Sequence, residues 1–339
     1  MAGTTVSAGL AKALMTAAVR RGASEKALAL RSAVNPADLE DQDNRIAFDR
    51  YVALVREAKA RTGDGALPIH FAEEIDMSEF SVVGLIADAS ETMMDALAQL
   101  NRYGQLVIEV DGIAEGGRFA ISPEKDGVWL IDRRANPNDF WELTESTFTR
   151  MIVGPRGRLG ERPFMLEAQV THAEPAHAAA YERVWGVPVQ FGAARNALKI
   201  NNELSFTRLQ LMPRYVFGVL SDRADKLLAD LESARTTRGR VEALLMPVLH
   251  TGEASMDLIA SRMGLSRQTL FRKLKAEGVT FEKVLDELRH KLAVSYLAAR
   301  KVSVNETAYL VGFSEPAAFS RAFKRWTGTS PREMRAKAA

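Results

Sequence analysis

Cysteine is absent from all 339 residues. That excludes disulfides and thiolate metal sites and suits a reducing compartment. Long apolar runs are absent too. Leu10 to Val19 is interrupted by Lys12 and Thr16, too broken for a signal peptide, and no stretch approaches the ~20 apolar residues that span a bilayer. The expectation is a cytoplasmic protein with no membrane contact. Catalytic signatures are also missing: no P-loop, dinucleotide fingerprint, His-Glu-x-x-His or nucleophile elbow occurs. Histidine is scarce. Of His70, His172, His177, His250 and His290, only His172 and His177 are close in sequence. Their spacing suits neither a helix face nor a strand face, so they read as surface or satisfied core residues, not ligands. No enzymatic activity, cofactor or metal is expected.

What is present belongs to a soluble globular chain: 47% apolar and 26% charged residues. The length suggests two domains, since single cores rarely grow past ~250–300 residues. A net charge of +2 hides an asymmetry, because residues 253–339 carry +7 and the preceding residues −5. A basic end on an acidic body fits phosphate contacts by that end.

That basic end contains one pattern twice. The first copy has Ala260, Gly264, Ser266, Leu270, Arg272, Leu274 and Lys275; the second has Ala308, Gly312, Ser314, Phe319, Arg321, Phe323 and Lys324. The offset is 48 before the turn and 49 after it, so the second turn holds one extra residue. Each copy has the layout of a helix-turn-helix. A short helix ends at a glycine free to turn left-handed, a serine (Ser266, Ser314) caps the next helix, and an apolar i, i+4 pair buries one face of it. Arg272 and Arg321 fall on the opposite face. Two matched copies with outward arginines favour DNA binding over a packing hairpin, the second helix entering the major groove.

The stretch from Gly312 through Phe313, Ser314, Glu315 and Pro316 to Gly328, followed by Ser330, Pro331 and Arg335, resembles the DNA-binding domain of the AraC/XylS family of bacterial transcription regulators. The resemblance is strong over residues 235–336. The N-terminal part is similar to the arabinose-binding-like sensory domain of a subgroup that includes regulators of ornithine use and of virulence. The resemblance implies a transcription regulator whose partners are double-stranded promoter DNA, RNA polymerase and a small-molecule effector.

Toward the N-terminus, 8–21, 44–62 and 90–103 read as helices, with Ser90 able to cap the last; its Met93, Met94, Leu97 and Leu100 stripe reads as core. A strand meander follows over 105–111, 117–122 and 128–132. After it come a helix at 141–151, a strand at 163–172, a helix at 177–185 and strands at 188–191 and 196–200. Gly154 to Gly160 reads as a mobile loop; the other reading is a phosphate cradle through Arg156 and Arg158. A long helix over 213–231 closes this region. Its apolar residues serve either packing on its own domain or, as the resemblance implies, a homodimer contact. Polar, non-periodic Ser233–Gly239 is the candidate linker.

The expected architecture is an α+β sensory domain over 1–232, a linker over 233–240, and an all-α DNA-binding domain over 241–339. Within the last, the first helix-turn-helix covers 256–276, a long connecting helix 281–298, and the second motif 304–327. That connecting helix would hold the two recognition helices about one duplex turn, ~34 Å, apart on one face, so that one chain covers an asymmetric site. In the first motif the DNA-facing residues are Ser266, Arg267, Gln268, Phe271 and Arg272: arginine for guanine, glutamine for adenine, and an aromatic ring for a thymine methyl. In the second they are Ser314, Glu315, Pro316, Ala317, Ser320, Arg321 and Lys324. Pro316 and Ala317 offer no base hydrogen bonds, which leaves Arg321 as reader and Lys324 as phosphate contact. No effector-binding residue stands out. The expected function is a sequence-specific, effector-responsive activator. A nucleoid-type binder and an enzyme domain fused to a DNA-binding tail are the other classes that fit.

Overall fold

The computed structural model describes residues 3–337 except 112, 114–116, 160–161 and 210–212. The chain forms two compact units, residues 2–228 and 229–339.

In the N-terminal unit, strand β1 (Thr5–Ser7) leads into α1 (Ala8–Arg20), capped by the Ser7 hydroxyl. Then come α2 (Glu25–Ser32), β2 (Arg45–Ala47), α3 (Phe48–Thr62), α4 (Leu67–Glu74), α5 (Val82–Asp88) and α6 (Met93–Tyr103). β1 and β2 pair antiparallel. Arg45 binds this pair to the chain beyond α6, its Nε donating to Thr5 Oγ1 at 2.6 Å and its Nη1 to the Leu106 carbonyl at 2.6 Å.

Next come strands β3 (Phe119–Glu124) and β4 (Gly127–Asp132), helix α7 (Glu142–Val153) and the single turn α8 (Arg156–Leu159). They are followed by β5 (Met165–Gln169), α9 (Ala178–Trp185), β6 (Val189–Gln190) and β7 (Asn196–Ile200). The sheet runs β3-β4-β7-β5-β6 and is antiparallel except for β5 with β6. Register puts Leu130, Leu198 and Ala168 side by side across three strands, all buried. α7 and α9 supply Phe148, Tyr181 and Trp185 to the same core. This is the α+β arrangement of one sheet with helices on it.

α10 (Arg214–Arg235) spans the division between the units. The C-terminal unit continues with α11 (Thr237–Leu245), α12 (Met256–Arg262), α13 (Arg267–Ala276), α14 (Phe281–Ala299), α15 (Val304–Leu310), α16 (Pro316–Thr327) and α17 (Pro331–Lys337). Its core gathers Val241, Leu245, Ile259, Leu270, Leu274, Leu288, Leu297, Phe319 and Phe323.

Several local expectations are corrected. Residues 105–111 are not a strand: Gly104–Leu106 is a 3-10 turn and Ile108 makes one isolated bridge to Val6. α6 starts later than Ser90, because Thr92 and Asp95 cap it reciprocally while the Ser90 hydroxyl donates to the Ile86 carbonyl at 2.8 Å. Arg45–Ala47 is strand, so that helix starts at Phe48. Gly154 to Gly160 contains the turn α8, and Arg156 donates to the Trp185 carbonyl and so is not free for a phosphate; Gly160 and the Arg158 side chain lie outside what is described. The polar stretch 233–240 is helical apart from one break at Thr236, whose hydroxyl accepts from the Gly239 amide at 2.9 Å and caps α11.

Candidate nucleic-acid interface

The two motifs are built alike up to their second helices. α12 is capped by Ser255 and α15 by Ser303, whose capping box with Glu306 holds that carboxyl below the usual range. Each helix ends on a left-handed glycine, Gly264 at φ 66° and Gly312 at φ 81°. The following amide returns to the small residue, Leu265 N–H to the Ala260 carbonyl and Phe313 N–H to the Ala308 carbonyl, both at 2.9 Å. That closes a Schellman turn and satisfies carbonyls the helix end leaves open.

They then diverge. Ser266 caps α13, its Oγ accepting from Thr269 N at 3.1 Å. Ser314 does not cap α16: Glu315 holds that position with no side-chain bond, and Pro316 opens the helix. The extra residue in the second turn moves the cap by one. Proline disfavours a helical backbone at the residue before it, so Glu315 is extended, and at the first helical position its missing N–H is one that the helix would leave unpaired in any case.

The i, i+4 pairs Leu270/Leu274 and Phe319/Phe323 are buried in the core. The opposite faces are open. Ser266, Arg267, Gln268, Phe271 and Arg272 on one side, and Ser314, Glu315, Ala317, Arg321 and Lys324 on the other, are exposed; Pro316 and Ser320 are half-buried. Phe271 keeps half its surface in solvent, at 50%. Arg267 is not free, because its Nη1 lies 2.5 Å from Asp257 Oδ2 on α12. The Ser320 hydroxyl donates to the Pro316 carbonyl at 2.9 Å and is already used. Arg272, Arg321 and Lys324 carry no ion pair or side-chain hydrogen bond among the described residues.

α14 connects the motifs. Its 19 residues span about 28 Å at 1.5 Å per residue. Val284 and Ala293 join Phe281, Leu288 and Leu297 in its buried stripe, while Leu285 and Leu292 are only half-buried. Arg289 reaches from α14 into the second turn, donating from Nε to the Val311 carbonyl at 3.1 Å and from Nη2 to the Gly312 carbonyl at 3.0 Å. Burial pulls its guanidinium below the ordinary arginine range. The first turn has no such clamp among the described residues. Asp286, also on α14, binds Arg325 at 3.1 Å and Trp326 Nε1 at 3.4 Å on α16. Neither Asp257, Arg289 nor Asp286 could be singled out from sequence, since each pairing joins separate helices.

The histidine pair lies in the N-terminal unit. Buried Glu145 accepts from Tyr181 Oη at 2.8 Å and lies 2.7 Å from His177 Nε2; His172 Nε2 is 3.1 Å from the same Tyr181 hydroxyl. Burial lowers the His172 pKa. Among the described residues no group of three or more His, Cys, Asp or Glu side chains could hold a metal ion.

Two unlike helix-turn-helix motifs on one rigid connector define a DNA-binding transcription regulator. Residues 22–207 match the arabinose-binding N-terminal domain of AraC transcription regulators, and residues 259–337 match a helix-turn-helix domain. The chain belongs to the AraC family of transcription regulators. It is similar to the ornithine utilization regulator of Pseudomonas aeruginosa, at 25% identity over 96% of this chain and 94% of that protein. The HTH-type transcriptional regulator VirS of Mycobacterium tuberculosis is 26% identical over 89% of this chain and 88% of its own. The HTH-type transcriptional activator RhaS of Escherichia coli matches a shorter stretch, at 39% identity over 24% of this chain and 30% of that protein.

Proposed function

We propose that the chain is an effector-responsive activator that acts by binding and not by turnover. Residues 241–339 read two adjacent major-groove segments of a promoter, and residues 1–232 sense a small molecule. The observation that carries this reading is the pair of outward faces, alike in their free cations and unlike in everything else. Arg272, Gln268 and Phe271 read bases in the first segment, and Arg267 joins them on leaving Asp257. Arg321 is the base reader of the second. Ser266, Ser314 and Lys324 contact phosphates, while Glu315, Pro316, Ala317 and Ser320 line the groove without specifying bases.

RNA polymerase is the protein partner such an activator requires, and the cytoplasm its compartment. α10 supplies a homodimer contact: Tyr215 and Val219 are 82% and 51% exposed on it, and a second copy of this chain covers them. Val219→Glu then shifts sedimentation toward the monomer without unfolding the chain.

Footprinting with the full chain on the promoter upstream of its own gene tests the main reading. The expected result is two protected major-groove segments about one turn apart, with affinity falling steeply as salt rises. Uniform protection along any sequence would favour a nucleoid-type binder and overturn the proposal.

A further inference from the structure

In the N-terminal unit one guanidinium, that of Arg150, has no ion-pair partner among the described residues. Arg150 sits on the last turn of α7, whose other residues are almost all core. Its Nη1 is sealed from solvent and has no hydrogen-bond partner. Two neighbouring arginines are treated differently: Arg118 Nη2 lies 2.8 Å and Arg134 Nε 2.9 Å from the buried Asp132 carboxylate, which the two share. Burial brings Arg150 down to about 10, so it is still charged at neutral pH. A half-buried cation whose Nη1 is sealed and unpaired is unfavourable, which marks Arg150 as a candidate ligand contact.

Arg150 lines a cavity of about 310 Å³. Most of its wall is apolar, with Met93, Leu97, Leu100, Phe119, Met151 and Phe164 among the lining side chains, and Glu73, Asp76, Asp88 and Arg118 also stand on the lining. The size is that of a small-ligand pocket, and the lining has the usual form of an apolar wall with a few polar groups that fix orientation. Hydroxyls of a sugar that face the apolar part of the wall would be left unpaired, and a cation placed beside Arg150 would meet it with the wrong sign.

We propose that this cavity binds an apolar organic molecule carrying one carboxylate, whose oxygens accept from Arg150 while its chain or ring fills the apolar wall. The ligand supplies the missing anion, and the charge-assisted bond to a planar guanidinium fixes which end points inward. This deepens the sensing role proposed above and rests on that reading for its effect on DNA, not for the binding site itself.

The test compares octanoate, octan-1-ol, octylamine and arabinose on the full-length chain, by calorimetric titration and thermal melting, with operator occupancy measured in parallel. Octanoate should bind saturably and at least roughly tenfold more tightly than octanol, and octylamine and arabinose should not bind. Arg150→Met should abolish the preference for octanoate over octanol while raising the melting temperature of the free protein, because it removes an unpaired buried charge. A residue with a merely structural role would lower it. Arg150→Lys should keep the preference, and Ala96→Phe, on the apolar wall, should block octanoate and octanol alike. Equal binding of octanoate and octanol, no binding of either, or an unchanged preference in Arg150→Met would each overturn the proposal. Octanoate bound through Arg150 with no change in operator occupancy would uphold the site and sink the effector reading. A regulator that responds in cells while its cavity ignores carboxylates would do the reverse.

Discussion

The two helix-turn-helix motifs share a turn and differ in what holds it. In the first, Ser266 caps the recognition helix, the space around Gly264 is open, and an aromatic ring, Phe271, is left in solvent. In the second the cap bond is missing, Pro316 starts the helix, and the turn is fastened from outside by Arg289 and by close packing. Phe313, Phe319, Phe323 and Trp326 form an aromatic cluster there, with His290 of α14 beside the last two. The first motif spends its side chains on the surface and the second spends them inside. The two recognition helices are thus held in different ways, the first by its own cap and the second by its neighbours.

The glycines separate the motifs most sharply. A Cβ at Gly312 would come within 2.3 Å of the Leu249 carbonyl oxygen, while one at Gly264 meets nothing within 4 Å. Gly312→Ala should destabilise the C-terminal unit by about 3–5 kcal/mol in chemical denaturation, from a clash added to left-handed strain. Gly264→Ala carries only the strain, about 1–2 kcal/mol. Equal losses would mean that the second turn is not wedged.

Removing the clamp is the next largest change. Arg289→Ala leaves the Val311 and Gly312 carbonyls without its bonds and should cost about 1–3 kcal/mol. Hydrogen exchange should accelerate at the Phe313 amide and leave Leu265 unaffected. For DNA, Arg272→Ala should cost about 1–3 kcal/mol and relax preference at one base position of the binding logo. Lys324→Ala should weaken all sequences alike and make the salt slope shallower by about one. If Arg272→Ala leaves the logo intact, readout does not belong to the first helix. The smallest contrast is in the caps: Ser266→Ala should lose about 1 kcal/mol of stability, whereas Ser314→Ala, with no cap bond to lose, should stay within about 0.5 kcal/mol of the parent.

Much of the C-terminal unit is legible in the sequence because its signals are local. A glycine, a capping hydroxyl and an i, i+4 apolar pair each act within a few residues, so both motifs announce themselves. The sheet is legible where a short apolar run is bounded by turn residues, as in Gly127–Asp132. Other elements carry weaker signals. The run of β-branched and aliphatic residues in Val82–Asp88 reads no more as helix than as strand, and Glu25–Ser32 leaves Leu30 78% exposed. Three-residue strands such as Thr5–Ser7 exist only through their partner. Ser314 looked like a cap because the register after an inserted residue is invisible until the backbone before Pro316 is known. Arg150 left a faint mark, one charge followed by Met151, Ile152 and Val153. Whether such a charge has a partner is a tertiary fact that no periodicity reports.

The inequality of α13 and α16 has a consequence for geometry on the chromosome. Two identical readers would leave a bound site with a twofold axis and no front or back. On the function proposed above, two unlike readers joined through α14 remove that axis, so the complex on DNA would have a heading, like an arrow laid along the duplex. Inverting the site in place would keep every base contact and turn the rest of the protein toward the opposite flank, so a promoter that depends on this chain is sensitive to which way its operator points.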